Sequence, residues 1–147
     1  MTDTVTKEVR SQIMARVPCK DTKPELLLRK ALFARGLRYR LHSSKLPGKP
    51  DLVFPRYKTV LFVNGCLWHW HGCNRSRMPK TNVDYWLAKI TRNQRRDSEN
   101  YLALTAKGWR ILIVWECAIK LSSLDAVAGE AANWVRSKRT GIHTIPT

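Results

Sequence analysis

Apolar and polar positions along this chain alternate in two different periods, which predicts a mixture of strands and helices. Short strand-type apolar runs occur in four stretches: 37–42, 51–54, 59–63 and 109–115. Apolar residues recur at helical spacing in three longer stretches: 22–35, 83–107 and 124–136. A basic, weakly apolar stretch at 4–17 predicts one more short helix or arm.

Local signals predict where these elements begin, turn and end. Thr22 followed by Glu25 is the pattern of a capping box, with a proline in the first helical turn. Gly36 and Gly108 are placed to end the helices before them. The turn at 55–58 predicts a hairpin in which Phe54 faces Thr59. The order α-α-β-β-β-α-β-α predicts an α/β fold, a mixed central sheet flanked by helices in a single domain, 1–147.

The charge of the chain changes this picture of an ordinary small domain. Lys and Arg total 27 against 11 acidic residues, giving a net charge of +16 and a pI of about 10.3. An excess this large in 147 residues favours a polyanion, and nucleic acid above all, as the partner. We expect no membrane span, because no apolar run reaches 18 residues, and no signal peptide at the N-terminus, hence a cytoplasmic protein.

One short segment concentrates metal-binding side chains. Cys66, His71 and Cys73 lie within eight residues of one another, and Cys117 comes after a distant apolar strand. Three sulfurs and one nitrogen are a ligand set of structural zinc. Two alternatives remain open from the residues alone: Cys117 as a buried core thiol, and His69 as the fourth ligand in place of His71.

Acid–base chemistry is predicted at Asp51 and His69. In the predicted hairpin Asp51 faces roughly Phe62, which places its carboxylate near the backbone carbonyl of Val63. A carboxylate and a carbonyl are typical Mg²⁺ ligands, although a turn or cap aspartate would fit the position equally well. If zinc fixes the loop, His69 has a fixed direction and could act as a general base; otherwise it is a surface histidine or an alternate zinc ligand.

Two further acidic residues are candidates for the active site, although each also has an ordinary structural explanation. Asp97 lies on nearly the same face of its predicted helix as Trp86 and could orient His69 or a metal-bound water. An ordinary ion pair with a neighbouring arginine explains it too. Glu25 is explained by the capping box, with a role near the metal as a secondary interpretation.

Aromatic and apolar side chains of the loop predict contact with DNA bases. Leu67 and Trp68 project from the metal-binding segment, and Trp86 begins the long helix. Apolar side chains inserted between base steps unstack DNA. The remaining strand and helix tryptophans are expected in the core: Trp109, Trp115 and Trp134.

The sequence resembles the very short patch repair (Vsr) DNA mismatch endonucleases over almost its whole length. The resemblance rests on these segments: Arg10-Ser11, Met14, KDTKPE (20–25), GLRYRLH (36–42), LPGKPDLVF (46–54), VLFVNGCLWHWHGC (60–73), RD (96–97) and GWRILIVWEC (108–117). It implies a fold like that of type II restriction endonucleases. It also implies a Mg²⁺-dependent nick 5′ to the thymine of a T:G mismatch that arises from deamination of 5-methylcytosine.

The resemblance also implies a role for each candidate residue. Asp51 and the carbonyl of Val63 would hold Mg²⁺, His69 would be the general base, and Asp97 would lie near the metal-bound water. Structural zinc would be held by four residues: Cys66, His71, Cys73 and Cys117. The wedge beside the mismatch would be formed by Leu67, Trp68 and Trp86, and the segment 1–20 around Met14 would clamp the DNA from the minor groove.

Two positions depart from the family pattern, and two rival functions remain. Position 67 is often Phe in the family, and here it is Leu67. Position 64 is often His or Asp, and here it is Asn64. The lysine of the usual restriction-enzyme motif is also missing. The partners expected are double-stranded DNA with a T:G mismatch and mismatch-repair proteins, with the protein acting as a monomer. The rivals are a zinc-stabilised DNA-binding protein without catalysis and a restriction endonuclease of the same fold, which would cut paired DNA on both strands.

Overall fold

The structure is a computed structural model, and it describes residues 22–73 and 78–146. Three helices lie in these ranges: α1 (Lys23–Ala34), α2 (Val83–Ala106) and α3 (Leu124–Arg136). Five strands lie with them: β1 (Arg40–Leu41), β2 (Leu52–Phe54), β3 (Thr59–Asn64), β4 (Arg110–Trp115) and β5 (Ile142–Ile145). The predicted helix or arm at 4–17, the clamping segment 1–20 and Met14 lie outside the described residues.

The five strands form one mixed sheet in the order β1-β2-β3-β4-β5. Strand β2 runs antiparallel to both β1 and β3, whereas β3, β4 and β5 run parallel to one another. The predicted hairpin is confirmed with its register, since Phe54 pairs with Thr59 and Leu52 with Leu61. The predicted mixed α/β class is therefore confirmed.

Helices cover both faces of the sheet because its side chains alternate between two apolar clusters. On one face, Leu61 and Leu112 pack in a cluster with Leu28 of α1 and Ala131 of α3. On the opposite face, the next residues along the strands pack against α2. Asp97 comes from α2 on this side of the sheet, whereas Glu25 comes from α1 on the opposite side.

Strand β5 was not predicted, and β1 is shorter than predicted. The stretch Ile142–Ile145 has only four residues after a basic segment, so it carries little local strand signal. It forms because parallel pairing with β4 satisfies its backbone and buries Ile145. The predicted strand 37–42 is reduced to Arg40–Leu41, because the backbone N–H of Leu37 still donates to the oxygen of Leu32 at the end of α1.

The three tryptophans expected in the core are not equally buried. Trp134 is 5% exposed, and the guanidinium of Arg110 lies 4.2 Å from its ring centroid. Trp109 and Trp115 are half-buried at the margin of the α2-side cluster. Among the residues that the structure describes, no helix has the length and apolar character needed to cross a bilayer.

Candidate active site and metal centre

Parallel pairing of β3 and β4 brings the distant cysteines together. Asn64, the last residue of β3, pairs with Trp115, the last residue of β4. Cys66 and Cys117 each lie two residues beyond these partners, so both chain segments leave the sheet side by side. A spacing of 51 residues in the sequence thus becomes a local contact.

The structure joins the two cysteines with His71 and Cys73 in one cluster. The four ligand atoms all lie within 4.8 Å of one another, and Sγ of Cys117 is 3.4 Å from Nδ1 of His71. In a tetrahedral zinc site a sulfur and a nitrogen ligand lie about 3.5 Å apart, given the usual Zn–S and Zn–N bond lengths. The donors and their spacing therefore fit a closed four-ligand metal site.

The close approach of the thiols gives a second argument for a cation at this position. The pKa of the Cys66 thiol is raised to about 12, chiefly by burial and also by the neighbouring thiols of Cys73 and Cys117, while one backbone hydrogen bond lowers it. The three cysteines are not joined in a disulfide. Close thiols that are buried and unlinked are typical of a metal site, where a bound cation deprotonates them.

His69 lies apart from this cluster and pairs with a different helix. Its Nδ1 hydrogen-bonds Oδ2 of Asp97 on α2. The arginines near Asp97 have other partners, since Arg95 binds Glu99 and Arg96 binds Asn93. Because the carboxylate accepts from Nδ1, the imidazole is held in the tautomer whose Nε2 can take up a proton.

Helix α2 holds the loop at two consecutive residues. Nδ2 of Asn93 donates to the backbone oxygen of Trp68 at 2.8 Å, and Asp97 binds the next residue, His69. Asn93 and Asp97 are four residues apart and therefore lie on one side of the helix. Asn93 was not predicted as a site residue from the sequence. Its spacing of four residues from Asp97 was the signal that could have placed it on the same face of the helix. His71 is steadied separately, because its ring stacks on Trp115 with centroids 4.4 Å apart.

A second cluster lies at the start of β2. Carboxylate oxygens of Asp51 and Glu25 and a ring nitrogen of His42 all lie within 4.8 Å of one another. The backbone of Asp51 continues the hairpin, since its N–H donates to the Leu61 oxygen. Its carboxylate accepts the N–H of Val63 at 2.7 Å, so the contact seen at Val63 is through the amide rather than through the expected carbonyl.

The capping box predicted for Glu25 is wrong. Thr22 makes no side-chain cap hydrogen bond, and Glu25 is buried at 2% exposure. Its Oε2 accepts from Arg29 at 2.9 Å and lies 2.8 Å from Nε2 of His42. A buried carboxylate needs charged partners, and these are found within the fold rather than at the helix end. His42 was not predicted as a site residue, because no residue near it in the sequence indicates that it contacts Glu25.

The paired carboxylates leave Asp51 poorly suited to carry a negative charge alone. The pKa of Asp51 is raised to about 7, chiefly by burial and also by the neighbouring Glu25, while the hydrogen bond from the Val63 amide lowers it. Two buried carboxyl groups side by side favour either a shared proton or a bound cation. Hard oxygen ligands of this kind suit Mg²⁺ or a related divalent ion.

The predicted wedge residues lie close together but differ in exposure. Leu67 and Trp68 are half-buried, whereas Trp86 is only 4% exposed. The rings of Trp68 and Trp86 lie 5.4 Å apart, and Nζ of Lys89 is 5.9 Å from the Trp68 ring. Within the described part of the chain, the indole N–H of Trp86 has no hydrogen-bond partner.

Known proteins are similar to this chain over most of its length. The family model for DNA mismatch endonuclease Vsr matches residues 2–75, half of the chain. A protein named "DNA mismatch endonuclease Vsr" from Escherichia coli K12 is 41% identical over 82% of this chain and 77% of its own length.

Two relatives carry a name that refers to nicking. "Type II nicking enzyme V.NmeAIP" of Neisseria meningitidis serogroup A is 48% identical over 82% of this chain and 86% of its own. "Type II nicking enzyme V.XorIIP" of Xanthomonas oryzae pv. oryzae is 46% identical over 90% and 96%. With both clusters in place, these similarities establish that the chain is a DNA endonuclease and belongs to the Vsr family of DNA mismatch endonucleases.

Proposed function

We propose that this protein is a Mg²⁺-dependent, strand-specific endonuclease that nicks DNA 5′ to the thymine of a T:G mismatch, as in very short patch repair. The observation that carries the proposal is the His69–Asp97 pair, in a protein that also gathers Asp51, Glu25 and His42 into one cluster. A histidine oriented by an aspartate is equipped to take a proton from water. A related "DNA mismatch endonuclease" at 41% identity supports the choice of substrate.

Asp51 and Glu25 are the residues suited to hold the Mg²⁺, together with the backbone carbonyl of Val63. When bound by these residues, Mg²⁺ would supply charge to polarise the scissile phosphate and to stabilise the attacking and leaving oxygens. Arg29 and His42 fix the Glu25 carboxylate, and the Val63 amide fixes that of Asp51. These contacts hold the two carboxylates in place before any ion arrives.

His69 is the general base in this proposal. Asp97 holds its Nδ1, and Asn93 holds the backbone of the preceding residue, so the free Nε2 has a fixed direction. Removal of a proton from water at Nε2 produces the attacking hydroxide. The products are a 5′-phosphate and a 3′-hydroxyl.

The Cys/His cluster would hold a structural zinc rather than a catalytic one. Four protein ligands fill a tetrahedral coordination sphere and leave no position for substrate. The metal would join the loop after β3 to the turn after β4, and so fix the backbone that carries Trp68 and His69.

DNA binding in this proposal combines charge with a wedge. The net charge of +16 supplies phosphate contacts, and Leu67, Trp68 and Trp86 supply apolar surface to enter beside the mismatch. The indole N–H of Trp86, without a partner among the described residues, is available to a DNA acceptor once the two rings separate. Segment 1–20, around Met14, would clamp the minor groove.

Several wider features belong to the same proposal. The mixed sheet with helices on both faces supports a fold like that of restriction endonucleases. We expect the protein to act as a monomer in the bacterial cytosol, at the nucleoid, where mismatch-repair proteins are its further partners.

A nicking assay separates this function from its two rivals. Zinc-loaded protein is given Mg²⁺ and matched duplexes that carry T:G, T:A or C:G at one position, in a panel of flanking sequences. We expect a single nick, only in the strand with the mismatched thymine. Binding without cleavage in every context would favour a DNA-binding protein, and cleavage of both strands of the paired duplexes would favour a restriction enzyme.

A further inference from the structure

One buried polar pair near the active site takes no part in the chemistry assigned to Asp51 and His69. Asn64, the last residue of β3, is 4% exposed, and its Nδ2 donates to the hydroxyl oxygen of Tyr101 at 3.1 Å. Asn64 lies two residues after Phe62, which packs in the α2-side cluster. Alternation along β3 therefore places Asn64 on the α2 side of the sheet, and the residue before it, Val63, donates its N–H to the Asp51 carboxylate at 2.7 Å.

Tyr101 reaches the same region from α2. It lies four residues after Asp97, so the two side chains are on one side of the helix. Its ring packs edge to face on Phe62, with centroids 5.4 Å apart. The tyrosine thus lies between the residue that holds His69 and the strand opposite Asp51.

The hydroxyl of Tyr101 is kept as a neutral donor. Its pKa is raised to about 12, chiefly by burial and also by the charges of Asp97 and Asp51, while the Asn64 contact lowers it. Among the described residues its oxygen accepts from Asn64, while no acceptor is found for its own proton. A half-buried hydroxyl whose proton has no acceptor among these residues can donate to a ligand.

We propose that Tyr101 is a further catalytic residue, whose hydroxyl donates a hydrogen bond to a non-bridging oxygen of the scissile phosphate. The inference rests on the proposed nicking function. Asn64 is a positioning residue, because its amide occupies the phenol oxygen and so turns the O–H away from itself. Negative charge on the phosphate oxygens is what such a donor stabilises during attack.

The first test is the rate of nicking by Tyr101→Phe, which keeps the ring on Phe62 and removes the hydroxyl. Under single-turnover conditions with saturating zinc-loaded enzyme, we expect a loss of about 10²-fold, the lower range for one preorganised donor. Mismatch affinity should stay at the wild-type value, whereas the melting temperature should fall modestly because the buried Asn64 amide loses its acceptor. Tyr57→Phe removes a hydroxyl at the far end of the hairpin and should nick at the wild-type rate.

The second test distinguishes contact with the phosphate from a structural role. Substrates carry one phosphorothioate diastereomer at the scissile position, because sulfur accepts hydrogen bonds poorly. One diastereomer should slow the wild-type enzyme, in Mg²⁺ and in Mn²⁺ alike, and should slow Tyr101→Phe no further. Asn64→Ala should slow nicking less than Tyr101→Phe does, and the double variant should equal Tyr101→Phe.

The outcomes separate this inference from the function on which it rests. A wild-type protein that fails to nick T:G duplexes overturns both. A wild-type protein that nicks, with Tyr101→Phe within twofold of it, overturns only the role of Tyr101. Equal sulfur effects in wild type and Tyr101→Phe also overturn it, even if the variant is slow.

Discussion

The two ligand clusters of this protein differ in chemistry, burial and attachment. The cluster of Cys66, His71, Cys73 and Cys117 offers three thiols and one imidazole, from the loop after β3 and the short 3-10 helix after β4. The cluster of Glu25, His42 and Asp51 offers mainly carboxylate oxygen, and its members come from a helix and from residues flanking two strands. The first supplies a complete tetrahedral ligand set, whereas the second supplies only part of the coordination shell of a Mg²⁺ ion.

This difference separates a structural site from a reactive one. Four protein ligands complete the shell of a zinc ion, so such a site serves the backbone around it. Two carboxylates leave the shell of a Mg²⁺ ion mostly open, so such a site can meet a substrate. Substitutions in each cluster, and a change of pH, can test whether the clusters differ in this way.

The largest effect is expected for Asp51→Asn. The substitution keeps the shape of the side chain but removes the charge that Mg²⁺ requires, so nicking should fall below detection. The folded protein should remain, and mismatch binding by gel shift should persist. An Asp51→Asn protein that is unfolded, or that still nicks, would show that Asp51 belongs to the structure rather than to the chemistry.

Substitutions of the two histidines should have different effects, on catalysis for His69 and on zinc binding for His71. His69→Ala should lower the single-turnover rate by about 10²–10⁴, the usual range for a general base, with zinc content unchanged. His71→Ala should instead lose zinc, measured by atomic absorption, and lower the melting temperature. If His69→Ala loses the zinc while His71→Ala keeps it, the roles assigned to the two histidines are reversed.

The smallest effect is a pH dependence of stability. The pKa of Asp51 is raised from 3.8 to about 7, so between these values the folded protein holds more protons than the unfolded chain. Without Mg²⁺, this group should lower stability as the pH rises from about 4 to 7. Saturating Mg²⁺ should therefore raise the melting temperature more at about pH 8 than at about pH 5.5. Asp51→Asn is the control, and an equal Mg²⁺ effect at both pH values in the wild type would contradict the assignment.

The sequence predicted those parts of the molecule that depend on local patterns. The hairpin register of Phe54 and Thr59 came from a turn signal and alternating residues. The bounds of α2 came from helical spacing and from Gly108, which has a positive φ of 84°. The cysteine spacing gave the members of the first cluster but left His69 and His71 equivalent, because both lie in the same short loop.

The rest depends on contacts between distant segments. Nothing beside His42 in the sequence indicates Glu25, and the capping-box pattern offered Glu25 a sufficient local explanation that proved wrong. Asn93 and Tyr101 lie on a helix whose sequence mixes polar and apolar residues. Only the position of β3 and its loop in the fold shows which face of this helix contacts the site. Strand β5 forms because β4 is there to pair with it.

The attachment of the loop to α2 has a consequence for insertions and deletions. Asn93 and Asp97 bind two consecutive loop residues, Trp68 and His69, so the helix and the loop share one register. Each residue added to a helix rotates all later residues by about 100° around its axis. A single insertion between Trp86 and Asn93 would rotate both contacts away from the loop, whereas one beyond Tyr101 would leave them in place. Length variation in this helix should therefore be tolerated only in its last turn.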